Sequence, residues 1–287
     1  MISVIIPTYN SSSTIERCLN SLINQSNKEF DVIIVDDFSE DFESLFNKIQ
    51  PYNKFLRILI SRNSKNLNGS ASRNVGIRKS KKKYLCFLDS DDYYEENRIS
   101  IAYQTIKNNV NKVDFVSYSK LKLNQKRIKP KRSIRRNELV SEYIFFHEQS
   151  MQSSTFLMPR LTAKKIMFNE SLTRHQDCEF MMRAQKIGID IFFNDNVVSN
   201  YIISQTEFIS KVKKGRISLN FCNNFLINNK DLLNNRARIG YLTNISLRIA
   251  LIQKSSPLKI LISIIKLGGF AYLFKQILFK ILIKLKY

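Results

Sequence analysis

The sequence lacks the features that mark several well-known protein classes. No apolar run approaches the roughly 18 to 20 residues that a membrane-spanning helix requires. The four cysteines are far apart and include no CxxC pair, so neither a zinc site of that spacing nor a disulfide framework is indicated. The turn after the first apolar run has no G-x-G-x-x-G, which argues against a dinucleotide-dependent oxidoreductase.

The start of the chain and its cysteines also bear on location. No basic segment and no signal-peptide apolar region precede the first apolar run, so export is not expected. The cysteines lie in apolar patterns, which is typical of reduced core residues. We therefore expect a cytoplasmic protein. Its 287 residues suit one sizeable α/β domain with a smaller appendage.

Acidic residues are scarce relative to basic ones, 24 against 46, which gives a formal net charge of +22. Nine basic residues and no acidic residue lie between Lys120 and Arg136, and a second basic cluster runs from Lys211 to Arg216. Such clusters are either solvated loops or surfaces that approach phosphate groups. The phosphates could belong to a pyrophosphate-linked acceptor or to an anionic membrane.

The first hundred residues alternate short apolar runs with helical patterns. Runs within residues 3–6, 30–35, 55–60 and 84–88 are typical of buried strands, and residues 71–77 have a helical pattern. Strands that alternate with helices indicate a parallel sheet with helices on both faces. We expect an α/β fold with a Rossmann-like, mostly parallel sheet and a helical carboxy-terminal appendage.

Three of these strands end in polar residues. The clusters are Pro7 to Asn10, the pair Asp36 and Asp37, and Asp89 to Asp92. Open α/β sheets bind their ligands outside the carboxyl ends of the strands. We therefore expect the three clusters to line one cleft.

The cluster from Asp89 to Asp92 has two interpretations. Asp89 and Asp91, separated by one residue, can converge on a hard divalent cation that takes its other ligands from water and substrate phosphates. That interpretation predicts a metal–diphosphate site. Alternatively, Asp-Ser-Asp-Asp is simply a favourable sequence for a loop and a helix N-cap.

Together these segments resemble the inverting family 2 glycosyltransferases, which have the glycosyltransferase A-type fold. The matching segments are SVIIPTYN at residues 3–10, VDDFS at 35–39, SRNVG at 72–76 and LDSDD at 88–92. A weaker match at residues 176–183 resembles the family's acidic pair, apolar residue and arginine. The chain departs from the family pattern at Phe38 and at Gln176, where an acidic residue is more common.

The resemblance implies a role for each matching residue. The residues that would bind the nucleotide-sugar are Pro7, Thr8, Tyr9, Asn10, Asp36, Asp37, Arg73, Asp89 and Ser90. Among them Asp37, or alternatively Asp36, would bond the pyrimidine. Asp91 would be the direct ligand of Mn2+ or Mg2+, with Asp89 on the ribose or the metal. Asp177 would be the catalytic base that removes the proton of the acceptor hydroxyl.

Asp177 also has a simpler interpretation. It precedes a helical pattern, so it could serve only to stabilise the positive amino-terminal end of that helix. The two roles are compatible, because the helix dipole would keep the carboxylate ionised and able to accept a proton. The neighbouring His175 is more typical of a capping or packing residue.

The end of the chain resembles a membrane-surface helix. From Pro257 onward there are six lysines and no acidic residue. Apolar residues recur at helical spacing at Phe274, Ile277, Leu278, Ile281, Leu282 and Leu285. A basic amphipathic helix of this kind lies in the membrane interface. The same stripe could instead pack on the catalytic domain or on a second subunit.

We therefore expect a metal-dependent inverting glycosyltransferase that moves a sugar from a nucleotide-sugar, such as a UDP-sugar, to a glycan acceptor. The resemblance and the basic tail suggest a lipid-linked acceptor in capsule, lipopolysaccharide or O-antigen synthesis on the inner face of the plasma membrane. Residues 1–215 would form the catalytic domain and residues 216–287 the helical region. The alternatives are a catalytically silent relative and a nucleic-acid-binding protein. Nucleic acid is not expected, because acidic clusters at three strand ends would repel its phosphates.

Overall fold

The computed structural model describes residues 1–202, 205–215 and 217–276. The chain forms two compact units. The first consists of Met1–Ile134 and Ser150–Ile203, and the second of Arg135–Gln149 and Ser204–Tyr287. The boundary predicted near residue 215 lies within the second unit, which begins earlier and also takes in a short segment from the middle of the chain.

The first unit alternates strands and helices. Its strands are β1 (Ile2–Thr8), β2 (Phe30–Asp36), β3 (Ile58–Arg62), β4 (Tyr84–Phe87), β5 (Tyr93–Tyr94), β6 (Phe115–Leu123), β7 (Arg127–Lys129), β8 (Leu157–Pro159) and β9 (Asp190–Tyr201). Its helices are α1 (Ile15–Ile23), α2 (Phe42–Ile49), α3 (Gly69–Lys79), α4 (Arg98–Asn108), α5 (Arg160–Ile166) and α6 (Gln176–Lys186). Two 3-10 turns, Gln50–Lys54 and Ser153–Thr155, complete it.

Among the described residues the strands form one nine-stranded sheet in the order β3-β2-β1-β4-β8-β6-β9-β5, with β7 beside β6. Strands β3, β2, β1 and β4 are mutually parallel, and so are β6 and β9. Short antiparallel pairings join β4 to β8 and β8 to β6. The predicted α/β fold with a mostly parallel sheet is confirmed.

The core explains why these segments are strands and helices. Every residue of β1 is buried, as expected for a parallel strand that is covered on both faces. Helix α1 turns Ile15, Cys18, Leu19 and Leu22 toward the sheet, at the spacing of one helical face. These side chains belong to one continuous hydrophobic cluster with β1, β2 and β4.

The register of the central strands brings the polar clusters to one edge. Thr8 at the end of β1 pairs with Asp36 at the end of β2, and Ile5 pairs with Phe87 at the end of β4. The chain proceeds from β1 through β2 to β3 on one side and then crosses to β4 on the other. The crevice between β1 and β4 is therefore the topological switch point, where open α/β sheets bind their ligands.

The second unit is helical. Its elements include α7 (Gln205–Lys213), α8 (Leu219–Asn228), α9 (Asn235–Tyr241), α10 (Leu247–Ile252), α11 (Leu258–Lys266) and the π-helical segments Glu142–Phe146 and Leu242–Ser246. Phe145 meets Phe225 and Tyr241 edge-on, with ring centroids 6.0 and 5.1 Å away. The middle segment Arg135–Gln149 thus supplies part of the core of this unit. The predicted carboxy-terminal helices are present.

The predicted amphipathic stripe from Phe274 to Leu285 lies outside the described residues from position 277 onward, and residues 270–276 are helical. Within the described ranges, every helix is too short or too polar to cross a bilayer.

Helix α3 approaches β1 at a glycine. A Cβ added to Gly76 would lie 2.4 Å from Ile5 Cγ2 and 3.2 Å from Ile5 Cγ1. Both partners are fully or almost fully buried, so neither can move aside into solvent. The absence of a side chain at this position lets α3 lie close against the central strand.

We predict that Gly76→Ala lowers the free energy of unfolding by about 1–3 kcal/mol, because an added methyl overpacks a filled core. Urea denaturation measures the change, and Arg78→Ala on the exposed side of the same helix is the control. The cost should shrink in an Ile5→Ala background, since the clashing atoms are then absent. An equal cost in both backgrounds would contradict the proposed contact.

Candidate active site

The loop after β1 is fastened to the loop after β2. Asn10 has a positive φ of 49°, and its backbone N–H donates to Ser39 Oγ at 2.9 Å. Its side-chain Oδ1 accepts from the Glu40 N–H at 2.9 Å. Pro7 and Thr8 are buried at the end of the strand, whereas Tyr9 is 47% exposed. Of the four residues predicted here, Tyr9 and Asn10 are exposed and Pro7 and Thr8 are not.

Asp36 is fully buried and organises its own turn. Its carboxylate accepts from the Ser39 N–H at 3.1 Å and from the Ser39 hydroxyl, and it forms an ion pair with Arg62 Nε at 3.2 Å. Because its oxygens are engaged within the fold, Asp36 shapes the loop after β2. The sequence favours Asp37 over Asp36 as the residue that bonds the pyrimidine, and that choice stays a prediction.

Asp37 holds the segment that leads into α3. Its Oδ1 accepts from Asn63 Nδ2 at 2.8 Å and from the Leu67 N–H at 2.9 Å, and its Oδ2 accepts from the Asn68 N–H at 2.7 Å. Asn68 then caps α3, since its Oδ1 accepts from the Ser70 N–H at 2.8 Å. Asp37 therefore fixes where α3 begins. Its predicted bond to a pyrimidine stays a prediction.

The acidic loop after β4 is anchored on two sides. Ser90 Oγ is 2.8 Å from Ser11 Oγ, which ties this loop to the turn after β1. The Asp89 N–H donates to Ser154 Oγ at 3.1 Å, and Ser153 Oγ donates to the Asp89 carboxylate at 3.3 Å. Asp91 is exposed at the tip of the loop. The three predicted strand-end clusters do meet at one edge of the sheet.

Asp92 is the buried member of this loop. Its Oδ2 accepts from Ser154 Oγ at 2.7 Å and from Gln152 Nε2 at 3.1 Å. Burial, followed by the nearby charges of Asp89 and Asp91, raises the pKa of Asp92 well above its usual range. The side chain acts as an internal brace that joins the acidic loop to the turn before β8.

Arg73 connects the acidic loop to the predicted catalytic base. The side chain, only 9% exposed, lies on α3, where Nη2 pairs with Asp89 Oδ1 and Nη1 donates to Gln176 Oε1 at 2.8 Å. Gln176 is the first residue of α6 and directly precedes Asp177. One guanidinium thus spans the predicted donor site and the helix that carries the predicted base. Its planar fork makes both contacts possible.

Asp177 lies in the first turn of α6, as the sequence indicated. Its Oδ1 accepts from the Cys178 N–H at 2.9 Å. Burial raises its pKa, and this outweighs the opposing effects of the Cys178 N–H and the Arg73 charge. The N–H groups at the helix end and burial therefore act on this carboxylate in opposite directions, and burial has the larger effect on its pKa. A raised pKa makes the carboxylate a stronger base.

His175 precedes α6 in the left-handed backbone region, with φ of 58°. Burial lowers its pKa to about 3, so the imidazole is neutral near pH 7. A neutral imidazole adds no charge beside Asp177. The position fits the structural role that the sequence suggested.

The sequence prediction missed the turn Ser153–Thr155 and the preceding Gln152. Gln152, Ser153 and Ser154 together bind Asp89 and Asp92, yet they lie 60 or more residues further along the chain. One sequence signal could have found them. Four consecutive polar residues, 152–155, stand directly before the apolar run of β8.

Asp89 and Asp91 are the residues that could hold a divalent cation. Asp89 is partly engaged by Arg73, and the exposed Asp91 lies two residues away on the same anchored loop. Within the described ranges, three or more His, Cys, Asp or Glu side chains do not gather at metal-binding distance. One or two carboxylates nevertheless suffice for a cation that takes its other ligands from phosphates and water. The residues present fit such an ion.

Comparison with known proteins identifies the family. The model of the family described as Glycosyl transferase family 2 matches residues 3–177. The chain belongs to glycosyl transferase family 2. It is therefore a glycosyltransferase, and the match extends from the first strand to Asp177.

Two curated relatives of this glycosyltransferase act in different systems. Over 206 residues it is 34% identical to the amylovoran biosynthesis glycosyltransferase AmsB of Erwinia amylovora, which covers 69% of this chain and 68% of AmsB. Over 209 residues it is 28% identical to the poly(ribitol-phosphate) beta-N-acetylglucosaminyltransferase TarP of Staphylococcus aureus. That alignment covers 69% of this chain and 63% of TarP. The chain thus spans less than two thirds of the length of TarP.

Solved structures confirm the fold class. Staphylococcus aureus TarS 1-349 in complex with UDP matches with a TM-score of 0.60 and 23% identity, over 93% of this chain and 88% of that one. The mannosyltransferase PcManGT from Pyrobaculum calidifontis, in complex with GDP-Man and Mn2+, matches with a TM-score of 0.59 and 13% identity. The match covers 95% of this chain and 84% of PcManGT. At these identities the likeness establishes the glycosyltransferase A-type fold alone.

We predict that Arg73→Met lowers the free energy of unfolding of this glycosyltransferase by about 3–5 kcal/mol. The substitution removes the guanidinium that pairs with Asp89 and leaves that carboxylate beside other carboxylates. Arg73→Lys should cost less, since it restores the charge but not the fork. Urea denaturation measures both, with Arg78→Met on the same helix as the control. A loss no larger than that of the control would show that the ion pair is not structural.

Proposed function

We propose that this chain transfers a sugar from a nucleotide-sugar donor to a hydroxyl of a glycan acceptor, with inversion and with a divalent cation. The observation that carries the proposal is the contact of Arg73 with both Asp89 and Gln176. It joins the acidic loop, where a diphosphate and its cation would bind, to the residue before the candidate base. Donor and base would then share one rigid frame.

The donor would bind across the switch point between β1 and β4. The loops after β1, β2 and β4 are tied to one another through Asn10, Ser39, Ser11 and Ser90. Such a pre-formed crevice needs little rearrangement to accept a ligand. Solved neighbours of the same fold contain UDP, UDP-GlcNAc or GDP-Man. A UDP-sugar is our first choice of donor, as the sequence resemblance suggested.

Asp91, with Asp89, would hold Mn2+ or Mg2+. When bound there, the cation would stabilise the negative charge that develops on the departing diphosphate. Asp91 suits this role because it is exposed while the backbone around it is fixed by bonds at Ser90 and Asp92. PcManGT, a neighbour in fold, has been solved with Mn2+.

Asp177 would remove the proton of the acceptor hydroxyl as its oxygen forms the new bond to the anomeric carbon. The bond from that carbon to the diphosphate breaks at the same time, so one displacement with one base inverts the configuration. Burial raises the pKa of Asp177 and so increases its affinity for the proton. The contacts of Gln176 with Arg73 and with the Leu172 carbonyl, at 2.8 and 2.7 Å, hold the start of α6 in place.

The acceptor would be a lipid-linked saccharide in the assembly of a bacterial surface polysaccharide, at the inner face of the plasma membrane. In support of a polymeric product, the name of AmsB refers to amylovoran biosynthesis and that of TarP to poly(ribitol-phosphate). The six lysines after Pro257, with no acidic residue among them, support contact with an anionic membrane. Capsule, lipopolysaccharide and O-antigen remain the candidate products.

We predict that binding of UDP-sugars requires both the cation and Asp91. Isothermal titration of a UDP-sugar panel with Mn2+ should give binding that EDTA removes and that Asp91→Ala weakens by about tenfold or more, since charge-assisted contacts to a diphosphate are lost. Asp195→Ala, which removes an exposed carboxylate from β9, is the matched control. Undiminished binding in EDTA would exclude the cation from donor recognition. Failure with every nucleotide-sugar would leave the two alternatives, a catalytically silent relative and a nucleic-acid-binding protein.

We predict that Asp177→Asn leaves donor binding intact and lowers turnover by about 10²–10⁴-fold, the usual contribution of a general base. Because its pKa is raised by burial, the wild-type kcat/KM should fall as pH decreases through a value higher than the pKa of an ordinary aspartate. The protonated form, which cannot accept a proton, predominates below that value. The pH profile of donor turnover measures this, and Asp195→Asn is the control. An unchanged acid limb in Asp177→Asn would remove Asp177 from the mechanism.

A further inference from the structure

A second site lies at the opposite edge of the sheet. An open cavity of about 540 Å³ is bounded by the starts of β2 and β3 and by the chain that leaves α3. Because β2 and β3 are parallel, their amino ends lie at the edge away from the carboxyl-end crevice. The proposed donor and base residues, at the carboxyl ends, are absent from its lining.

The floor of this cavity is apolar. Val32 and Leu56 line it as buried side chains, and Leu59 lines it while 48% exposed. Next to Leu56 in the chain, Phe55 is 69% exposed. Large apolar side chains that stay in solvent beside a cavity are typical of binding surfaces.

The rim of the cavity is basic. Arg57, Lys79, Lys81 and Lys82 line it, against a single carboxylate, Asp31. The lysines belong to the run RKSKKK at residues 78–83, which has no acidic member. Across the part of the chain that the structure describes, Lys82 pairs with Asp31 at 3.5 Å, while Arg57, Lys79 and Lys81 have no ion-pair partner.

The backbone of the lysine run is held in place. Ser80 Oγ lies 2.8 Å from Ser3 Oγ in β1 and accepts from the Lys82 N–H at 3.1 Å. Arg160 donates from Nε to the Lys82 carbonyl at 3.1 Å and from its N–H to the Lys83 carbonyl at 2.8 Å. These bonds hold the backbone of the run, so the lysine side chains extend from fixed positions.

Interaction with the dipole of α3 explains only some of these basic residues. Arg78 and Lys79 are in the last turn of α3, where cations interact favourably with the helix dipole. Lys81 and Lys82 lie beyond the helix, and Arg57 precedes a strand, so the dipole does not explain them. These basic residues surround an apolar floor, so the cavity suits a ligand that has both an anionic part and an apolar part.

We propose that this cavity and the adjoining Phe55 bind the headgroup region of an anionic phospholipid, so that the first unit makes its own contact with a membrane surface. Phosphate would meet the lysines and Arg57, and the lipid's apolar part would meet Leu59 and Phe55. Free phosphate would use the rim but leave the apolar floor and Phe55 in water. This surface consists of other residues than the carboxy-terminal lysines and the proposed transfer site, so it can be tested without substrates.

The chain contains no tryptophan, so one introduced tryptophan reports on its own surroundings. We predict that Phe55→Trp, in the full chain, shows a blue shift with phosphatidylglycerol vesicles and quenching by brominated acyl chains. Vesicles of phosphatidylcholine alone should give neither. Phe38→Trp is the matched control, because Phe38 is 48% exposed but follows the carboxyl end of β2. Quenching of the control and not of Phe55→Trp would overturn the proposal.

The charges are tested separately. Lys79→Gln with Lys81→Gln should weaken binding to phosphatidylglycerol vesicles by roughly tenfold or more, because each basic residue near an anionic surface adds to the attraction. Lys107→Gln with Lys164→Gln removes the same charge from exposed helical positions and should have a clearly smaller effect. Equal losses in the two double variants would mean that only net charge matters, and would overturn the site. Titration of inorganic pyrophosphate that saturates the cavity without any lipid signal at Phe55→Trp would also overturn the lipid assignment.

Discussion

The buried guanidinium of Arg73 is the interaction on which the site depends. Four aspartates, at positions 89, 91, 92 and 177, lie near one edge of the sheet, and carboxylates this close repel one another when ionised. Arg73 places one positive charge in contact with Asp89 and beside the start of α6. It reduces that repulsion and at the same time links two elements that are more than 100 residues apart.

Differences in burial give these aspartates different roles. Asp92 is fully buried with two neutral hydrogen-bond donors, and its raised pKa favours the protonated form. Asp91 is exposed to solvent on the same loop. Asp177 is intermediate in exposure. Its pKa is raised, and the positive charge of Arg73 lies nearby. Different degrees of burial thus give one residue type three chemical characters: a brace, a candidate metal ligand and a candidate base.

The sequence predicted what depends on local pattern. Apolar runs identified β1, β2 and β4, and because parallel strands align their carboxyl ends, the clusters after them could be placed together in advance. It did not predict the role of the turn at Ser153–Thr155, because these polar residues reach the acidic loop only through the pairing of β8 with β4, and a local pattern does not specify which strand β8 pairs with. Nor could it predict that burial dominates at Asp177, since burial depends on how distant segments pack. The contact of Phe145 with Phe225 and Tyr241 could not be predicted for the same reason, since these rings meet only in the folded chain.

The polarity of a parallel sheet explains how a chain of net charge +22 can hold an acidic site. The carboxyl ends of β1, β2 and β4 present the aspartates, while the amino ends of β2 and β3 border the lysine run. Each strand keeps the two ends several residues apart, and strands rise about 3.3 Å per residue, so β2 alone separates them by about 20 Å. That exceeds the screening length of about 8 Å at physiological ionic strength. The basic edge can therefore attract an anionic surface without neutralising the carboxylates. The acidic edge can hold a cation because the lysines are too far away to repel it strongly.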